Sequence, residues 1–446
     1  MPQATQVSEQ GSQVYSKGER LVILGSTMLG FALDMYNLMI VTFLMTTIQR
    51  SLNISLTQAG AITTATLIGS VIGGGGFGWL GDRLGRKTSL QLTLGVFSVG
   101  ALASAFAWNY PSLLVVRFVA GIGLGGEWGA GMVLFNEVWD PRRRGVGSAL
   151  IQASSLFGLV GATLVGVWGV THFSLYWGWR IALLTGGAPI LLMIAVRFLM
   201  PESRIWLRYK QLKESGQLVD EARAPLFDIF RPRLIKHTMI GLVWLSSYMF
   251  CFYGITVYIP TLMVQILHAT PGALRSTILT AQVIGFSGYL IMGWCNDRFG
   301  RRSGAVIPTI MWIGSILGMW AWGHTLYQGV LLAWPMFWLY LTFHFGNTAL
   351  GVSGPWLSEL YPVGLRATAV SFIYMGGRAA GSIAPILIPM VASKFGNTLV
   401  YGMMGVTLPA ACIALLAVFL LPETRGRDLA AIETAASAVP RAVSSS

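Results

Sequence analysis

Charge is scarce in this chain. Only 11% of its 446 residues are charged and 54% are hydrophobic, whereas a soluble domain carries roughly 25% charged residues. So little polar surface cannot keep a chain of this size dispersed, which excludes a soluble enzyme and a disordered chain and points to a polytopic membrane protein. Cysteine is scarcer still. Cys251, Cys295 and Cys412 are odd in number and lie apart inside apolar stretches, so no disulfide framework or metal-ligand spacing is present. Acids are few: 17 Asp+Glu stand against 30 Lys+Arg, for a net charge of +13. The basic residues fall in short runs between apolar stretches. That is the positive-inside pattern of membrane proteins and argues against a nucleic-acid partner. Residues 1–19 lack an apolar core followed by a small-residue cleavage site and read as a cytoplasmic tail, not a signal peptide.

What the chain does have is apolar windows of about 20 residues, each long enough to cross a bilayer as a helix. They fall near 20–43, 57–80, 88–108, 112–135, 146–168, 180–200, 238–262, 276–296, 304–324, 330–354, 368–391 and 398–421. The expected fold is therefore an all-α membrane protein of twelve transmembrane helices. It divides into a tail over 1–19, a six-helix bundle over 20–200, a linker over 201–237, a second bundle over 238–421 and a tail over 422–446. One alternating set of segments holds Lys17 and Arg20; Arg83, Arg86 and Lys87; Arg142, Arg143 and Arg144; the bases from Arg204 to Lys236; Arg298, Arg301 and Arg302; Arg366; and Arg425, Arg427 and Arg441. The opposite set holds only Arg50, Arg180, Arg275 and Lys394. The basic set, with both termini, is expected on the cytoplasmic side of the plasma (cell inner) membrane.

The two halves repeat. Gly78-Trp-Leu-Gly-Asp82-Arg83-Leu-Gly85-Arg86-Lys87 returns as Gly293-Trp-Cys-Asn-Asp297-Arg298-Phe-Gly300-Arg301-Arg302, an offset of 215 residues. Glu137…Pro141…Arg144 returns as Glu359…Pro362…Arg366, with the glutamates 222 apart, and Pro201-Glu202-Ser203 returns as Pro422-Glu423-Thr424, 221 apart. Two related halves with a site at their interface are a transporter architecture. The charges at these helix ends read as gating groups that bridge the bundles or cap a neighbouring helix: Asp82, Arg83, Arg86, Glu137, Arg144, Asp297, Arg298, Arg301, Glu359 and Arg366.

The duplicated Gly-x-x-x-Asp-Arg-x-Gly-Arg-Lys loop resembles the major facilitator superfamily, as does Arg117-Phe-x-x-Gly121-x-Gly123-x-Gly125-Gly126, over nearly the whole chain. Within that superfamily the stretches Gly126-Glu127-Trp128-Gly129, Gly178-Trp179-Arg180, Ser358-Glu359-Leu360-Tyr361-Pro362 and Gly377-Arg378 are similar to proton-coupled carboxylate and sialate symporters. The resemblance implies two pseudo-symmetric six-helix bundles and a monomer.

Buried charge carries the chemistry. Of the acids only Asp34 and Glu127 sit deep in a span. Asp34 lies about 14 residues into span one, ~21 Å along it. At such depth a carboxylate is paired, protonated or in contact with a wet cavity, so it can load and release a proton. Both are candidate proton-coupling groups. Arg378, near the middle of span eleven, needs an anion, and its guanidinium fork suits a carboxylate. With it as substrate-binding candidates stand Asn37, Gln152, Gln282, His344, Asn347 and Tyr374, polar residues on otherwise apolar spans. Pro189, Pro335, Pro385, Pro389 and Pro409 are expected to interrupt helices.

The expected protein is a proton-coupled symporter of a small organic anion, most simply a monocarboxylate such as lactate. Its partners are that anion, protons and the lipid bilayer, and no cofactor or metal is called for. A sugar or other neutral-solute symporter is the alternative, since Gly354-Pro355-Trp356 and Pro422-Glu423-Thr424 also resemble sugar porters. Span seven lacks that group's paired glutamines, and span five lacks the Gly-Pro motif of drug antiporters. A receptor that senses a metabolite without moving it is a further alternative. Enzyme activity is not expected. Gly121-x-Gly123-x-x-Gly126 matches a dinucleotide fingerprint, but it lies in a spanning helix with no preceding strand.

Overall fold

The structure, a computed structural model, describes residues 15–215, 225–396 and 398–429. Most of both expected tails, Arg441 among them, and residues 216–224 of the linker lie outside the described residues. Several spans begin on a recognisable signal. Span one, Lys17–Leu52, opens on a capping box between Ser16 and Glu19, and span two, Leu56–Leu84, on another between Ser55 and Gln58. Span three is Arg86–Ala105, and span four, Tyr110–Val138, is capped by Asn109. Span five is Arg144–Ala153 continued by Ser155–His172. Span six is Gly178–Leu184 and Pro189–Leu199 around a 3₁₀ turn.

The second half follows the same order. A linker helix, Arg204–Glu214, leads to span seven, Ile235–Thr256, which runs on through a π turn at Leu262–Ile266. Span eight is Pro271–Phe299, span nine Arg301–Trp322, and span twelve Leu399–Leu420. Span eleven is Val363–Gly381 continued by Ala384–Lys394. Eleven helices among the described residues are long and apolar enough to cross a bilayer. The twelfth place is taken by span ten, which is broken: Pro335–Gly346, a 3₁₀ turn at Asn347–Ala349, then Leu350–Ser358.

Proline acts at only some of the expected places. Pro189 and Pro385 each follow a break, whereas Pro335 simply starts span ten at a position where no N–H is needed. Pro389 and Pro409 lie inside continuous helices, so they end nothing.

The tight turns between spans two and three and between spans eight and nine require glycine. Gly85 and Gly300 adopt φ of +105° and +103°, a region side chains rarely enter. Each turn lies against a carboxylate that caps the next helix. Glu202 accepts from the backbone N–H of Arg86 (3.0 Å) and Lys87 (3.1 Å). Glu423 accepts from Arg301 and Arg302, both at 2.9 Å. Burial pushes Glu202 above the usual carboxylate range. At Glu423 burial is outweighed by the N–H groups of Arg302, Arg301, Arg425 and Thr424, which hold it low.

Candidate functional site

The repeated loops meet at one end of the molecule, the basic end. Asp82 reaches across to span eleven, where its carboxylate accepts from the backbone of Ala367 (3.1 Å) and Thr368 (2.9 Å) and from the Thr368 hydroxyl (2.7 Å). Asp297 does the same to span five, accepting from Gly145 (2.7 Å) and Val146 (3.0 Å). Asp297 thus caps the first turn of span five in the opposite half, where backbone N–H groups are free, while Asp82 meets the second turn of span eleven.

Behind these contacts lies a buried ionic cluster. Arg86 pairs with Asp82 (3.0 Å) and Glu137 (3.1 Å), and Arg301 with Asp297 (3.3 Å) and Glu359 (2.6 Å). The remaining arginines cross over: Arg366 pairs with Glu137 at 2.7 Å, and Arg144 approaches Glu359 to 3.6 Å. The glutamate of each half is therefore held by arginines from both halves. Arg83 and Arg298 do not join this cluster. Both are exposed, and Arg83 lies over Trp79 of its own helix, 4.4 Å from the ring centroid. Two consecutive residues on a helix point about 100° apart, so the one that follows the acid faces outward.

Further from the basic end the halves meet again at Asp34 and Arg378. The Arg378 Nη1 donates to Asp34 Oδ2 at 3.0 Å. Both side chains are buried, 3% and 0% exposed respectively. The pair is only half satisfied: Arg378 Nη2 and Asp34 Oδ1 have no hydrogen-bond partner. The Glu127 carboxylate lies against Gly30, one turn from Asp34 on span one. Its two oxygens are buried without a partner, and it sits where a Cβ on residue 30 would be, so a side chain there would push the carboxylate aside. Asp34, Glu127 and Arg378 thus come from spans one, four and eleven to one place.

The other expected pocket residues divide. Tyr374, one turn before Arg378, stacks on Trp128. Gln152 accepts from Trp128 Nε1 at 3.0 Å. In broken span ten, His344 is buried against Tyr340 with Nδ1 unpartnered. Asn347 forms the break itself. The Tyr248 hydroxyl donates to the Gly346 carbonyl (2.9 Å) and the Tyr289 hydroxyl to the Asn347 carbonyl (3.3 Å). Gln282 is half-buried on span eight.

Asn37 turns its amide nitrogen to its own half, donating to the carbonyl of Gly186 at 3.1 Å, while its Oδ1 is buried without a partner. Gly186 lies in the 3₁₀ turn ahead of Pro189, where the regular ladder is broken, and Asn37 supplies the missing donor. Tyr248, Tyr289 and Trp128 pack beside these residues without having been among the expected pocket residues. Arg117, toward the end of span four away from the basic end, is buried, and its Nε and Nη2 have no partner.

The sequence profile described as "Major Facilitator Superfamily" matches residues 27–347. The chain belongs to the major facilitator superfamily. It is similar to a probable 4-methylmuconolactone transporter of Cupriavidus pinatubonensis, 28% identical over 400 residues, which cover 89% of each chain. It is also similar to a niacin transporter of Acinetobacter baylyi, 28% identical over 437 residues, covering 91% of this chain and 94% of that one. Among solved structures, the proton:xylose symporter XylE superposes with a TM-score of 0.76 at 19% identity, over 94% of this chain and 100% of that one. The protein is thus a multi-pass membrane transporter of the twelve-helix facilitator fold, and not an enzyme.

Proposed function

We propose that this facilitator is a proton-coupled symporter of a small organic anion with a single carboxylate, working by alternating access in the cell inner membrane with the basic end cytoplasmic. The observation that carries this reading is the half-satisfied pair: a guanidinium and a carboxylate bridging the two bundles at 3.0 Å, each with one buried polar atom unused. Arg378 is the anion site, because arginine keeps its charge and its fork can hold a second carboxylate. Asp34 is the proton site, and Glu127, with two unpartnered oxygens beside the pair, is a second. His344 and Asn347 shape the side of the pocket formed by span ten, and Gln282 lines it from span eight. The niacin transporter supports the class, since niacin is itself a monocarboxylic acid.

The test is radiotracer flux in proteoliposomes with an imposed pH gradient, against lactate, pyruvate, acetate, benzoate, niacin, sialate and xylose. Accumulation of one or more acids that collapses when a protonophore dissipates the gradient is the expected result. Gradient-driven accumulation of xylose alone would replace the anion reading.

The ionic cluster of the basic end acts as the latch of the outward-facing state. Asp82→Asn weakens a contact with the opposite half and leaves Arg86 one partner short. It is expected to shift the population toward the state open at the basic end and to slow uptake several-fold, with binding retained. Double electron–electron resonance between spin labels on spans two and eleven at the basic end should show the longer distance gaining population. An unchanged distance distribution removes Asp82 from the latch.

A further inference from the structure

The sequence offset that relates the two halves also orders their interface. The 222 residues that carry Glu137 to Glu359 carry Asn136 to Ser358, Met132 to Gly354, Trp128 to Leu350 and Gln152 to Tyr374. The structure puts these mates together in successive layers. Nearest the ionic cluster, Asn136 Nδ2 donates to Ser358 Oγ at 3.2 Å. The Met132 thioether then fills the space in front of Gly354.

Next comes a layer of four residues, two from each half. Trp128 of span four and Tyr374 of span eleven stack with centroids 3.5 Å apart and planes 13° from parallel. On the pseudo-symmetric side, Gln152 of span five donates to the Leu350 carbonyl of span ten at 3.4 Å. Gln152 also ties the two sides together, by accepting from Trp128 Nε1. Trp128, Gln152 and Tyr374 are at most 2% exposed, and Leu350 is 7% exposed.

This layer lies directly beside the charge pair. Trp128 follows Glu127 in sequence, and Tyr374 precedes Arg378 by one turn. A solute leaving Arg378 for the basic end meets it before it meets the ionic cluster. Its indole N–H is already bonded within the layer, so the closed stack offers water little to hydrogen-bond.

We propose that Trp128, Tyr374 and Gln152 form the inner gate of the pathway, a seal distinct from the ionic latch. The gate rests on the reading of Arg378 and Asp34 as the transport site. Tyr374 and Gln152 are then the floor of the pocket. Opening the gate separates span four from span eleven, the same movement that pulls Asp82 away from Thr368. The two contacts differ in kind, stacked rings of Trp128 and Tyr374 on one side and the Gln152 amide on the Leu350 carbonyl on the other. The aromatic side is the larger obstruction.

A thiol reporter tests the gate without substrate or pH gradient. Ser148 lies one turn from Gln152 toward the basic end, buried with its hydroxyl 3.5 Å from the Met132 sulfur. Ser148→Cys in nanodiscs is exposed to a hydrophilic maleimide, and peptide mass spectrometry reads the modified residue against Cys251, Cys295 and Cys412. Slow labelling of residue 148 is expected with the gate intact. Adding Trp128→Ala or Tyr374→Ala should raise its rate about tenfold, the scale of one lost aromatic stack. Trp128→Phe keeps a ring on Tyr374 and should leave the rate near the parent's. Unchanged rates in both alanine variants would overturn the proposal. So would an increase with Trp128→Phe as large as with alanine, because that would mark general loosening of the helices. Failure of the parent to accumulate any acid would sink the symporter reading while leaving this result standing.

Discussion

Arg378→Ala is expected to abolish binding of the anion, not merely to slow its movement. Arg378 is buried at the meeting point of the two halves and has one nitrogen free beside its bond to Asp34. Truncating one partner of a buried charge pair in a binding site costs about 2–5 kcal/mol of binding, which is roughly 30-fold or more in Kd. Titration of the purified variant with the preferred acid should show no saturable binding at concentrations that saturate the parent. Arg378→Lys separates charge from geometry. It keeps the cation but loses the planar fork, so it should bind measurably and more weakly than the parent. Parent-like affinity in the alanine variant would place the anion elsewhere, and Arg117, with two unpartnered nitrogens in span four, would be the next cation to examine. Thermal unfolding in detergent separates the two losses. The alanine variant leaves Asp34 without its counter-ion, so its midpoint should fall even without ligand.

Much of this arrangement was legible because charge is conspicuous in an apolar chain. Asp34, Glu127 and Arg378 stand out in apolar runs, and bringing them together needs only the twelve-helix fold. The repeat was legible for the same reason, since a loop of glycines and charges cannot recur by chance at one offset. What the sequence could not show is which partner each charge takes. Glu137 and Arg144 lie seven residues apart and look like a local pair, yet Glu137 takes Arg366 and Glu359 takes Arg301 and Arg144. A repeat lists equivalent groups without saying whether they pair within a half or across it.

The polar residues within spans posed a second ambiguity. Asn37 is three residues from Asp34, about 60° around the helix from it, and a helix inside a bundle buries both of those directions. Only the broken turn ahead of Pro189 decides which way the amide points. The break in span ten was hidden because its flanks are mostly apolar. Asn347 in a run of aromatic residues looks like a binding group, and it becomes a break only when the Tyr248 and Tyr289 hydroxyls arrive from other helices to satisfy the freed carbonyls. The stack of Trp128 on Tyr374 was invisible for a plainer reason: an aromatic residue in a span packs against lipid or protein with no mark in the sequence.

Asp34→Asn should uncouple the transporter. In the empty state Asp34 and Arg378 neutralise each other. When Asp34 takes a proton, Arg378 is left with an uncompensated charge, and a substrate carboxylate restores neutrality. The empty and the fully loaded sites are both neutral, whereas a proton or an anion bound alone leaves a net charge deep in the membrane, at a cost of several kcal/mol. On the proposed reading, and with Glu127 in one protonation state throughout, reorientation is thereby restricted to the two neutral states, which is the condition for obligatory coupling through Asp34. Asparagine fixes the site in a form resembling the protonated acid. Substrate should still bind, and exchange of labelled for unlabelled acid across the membrane should persist, because the loaded carrier remains neutral. The return of the empty carrier should fail, since Arg378 would then cross without a counter-ion. Uptake driven by a pH gradient should drop to the level of protein-free vesicles, and the pH dependence of exchange should flatten over the range where Asp34 titrates in the parent. Asn-substituted protein that still concentrates its substrate against a gradient would show that the proton travels on another group, and Glu127→Gln in the same assay would then be the decisive comparison.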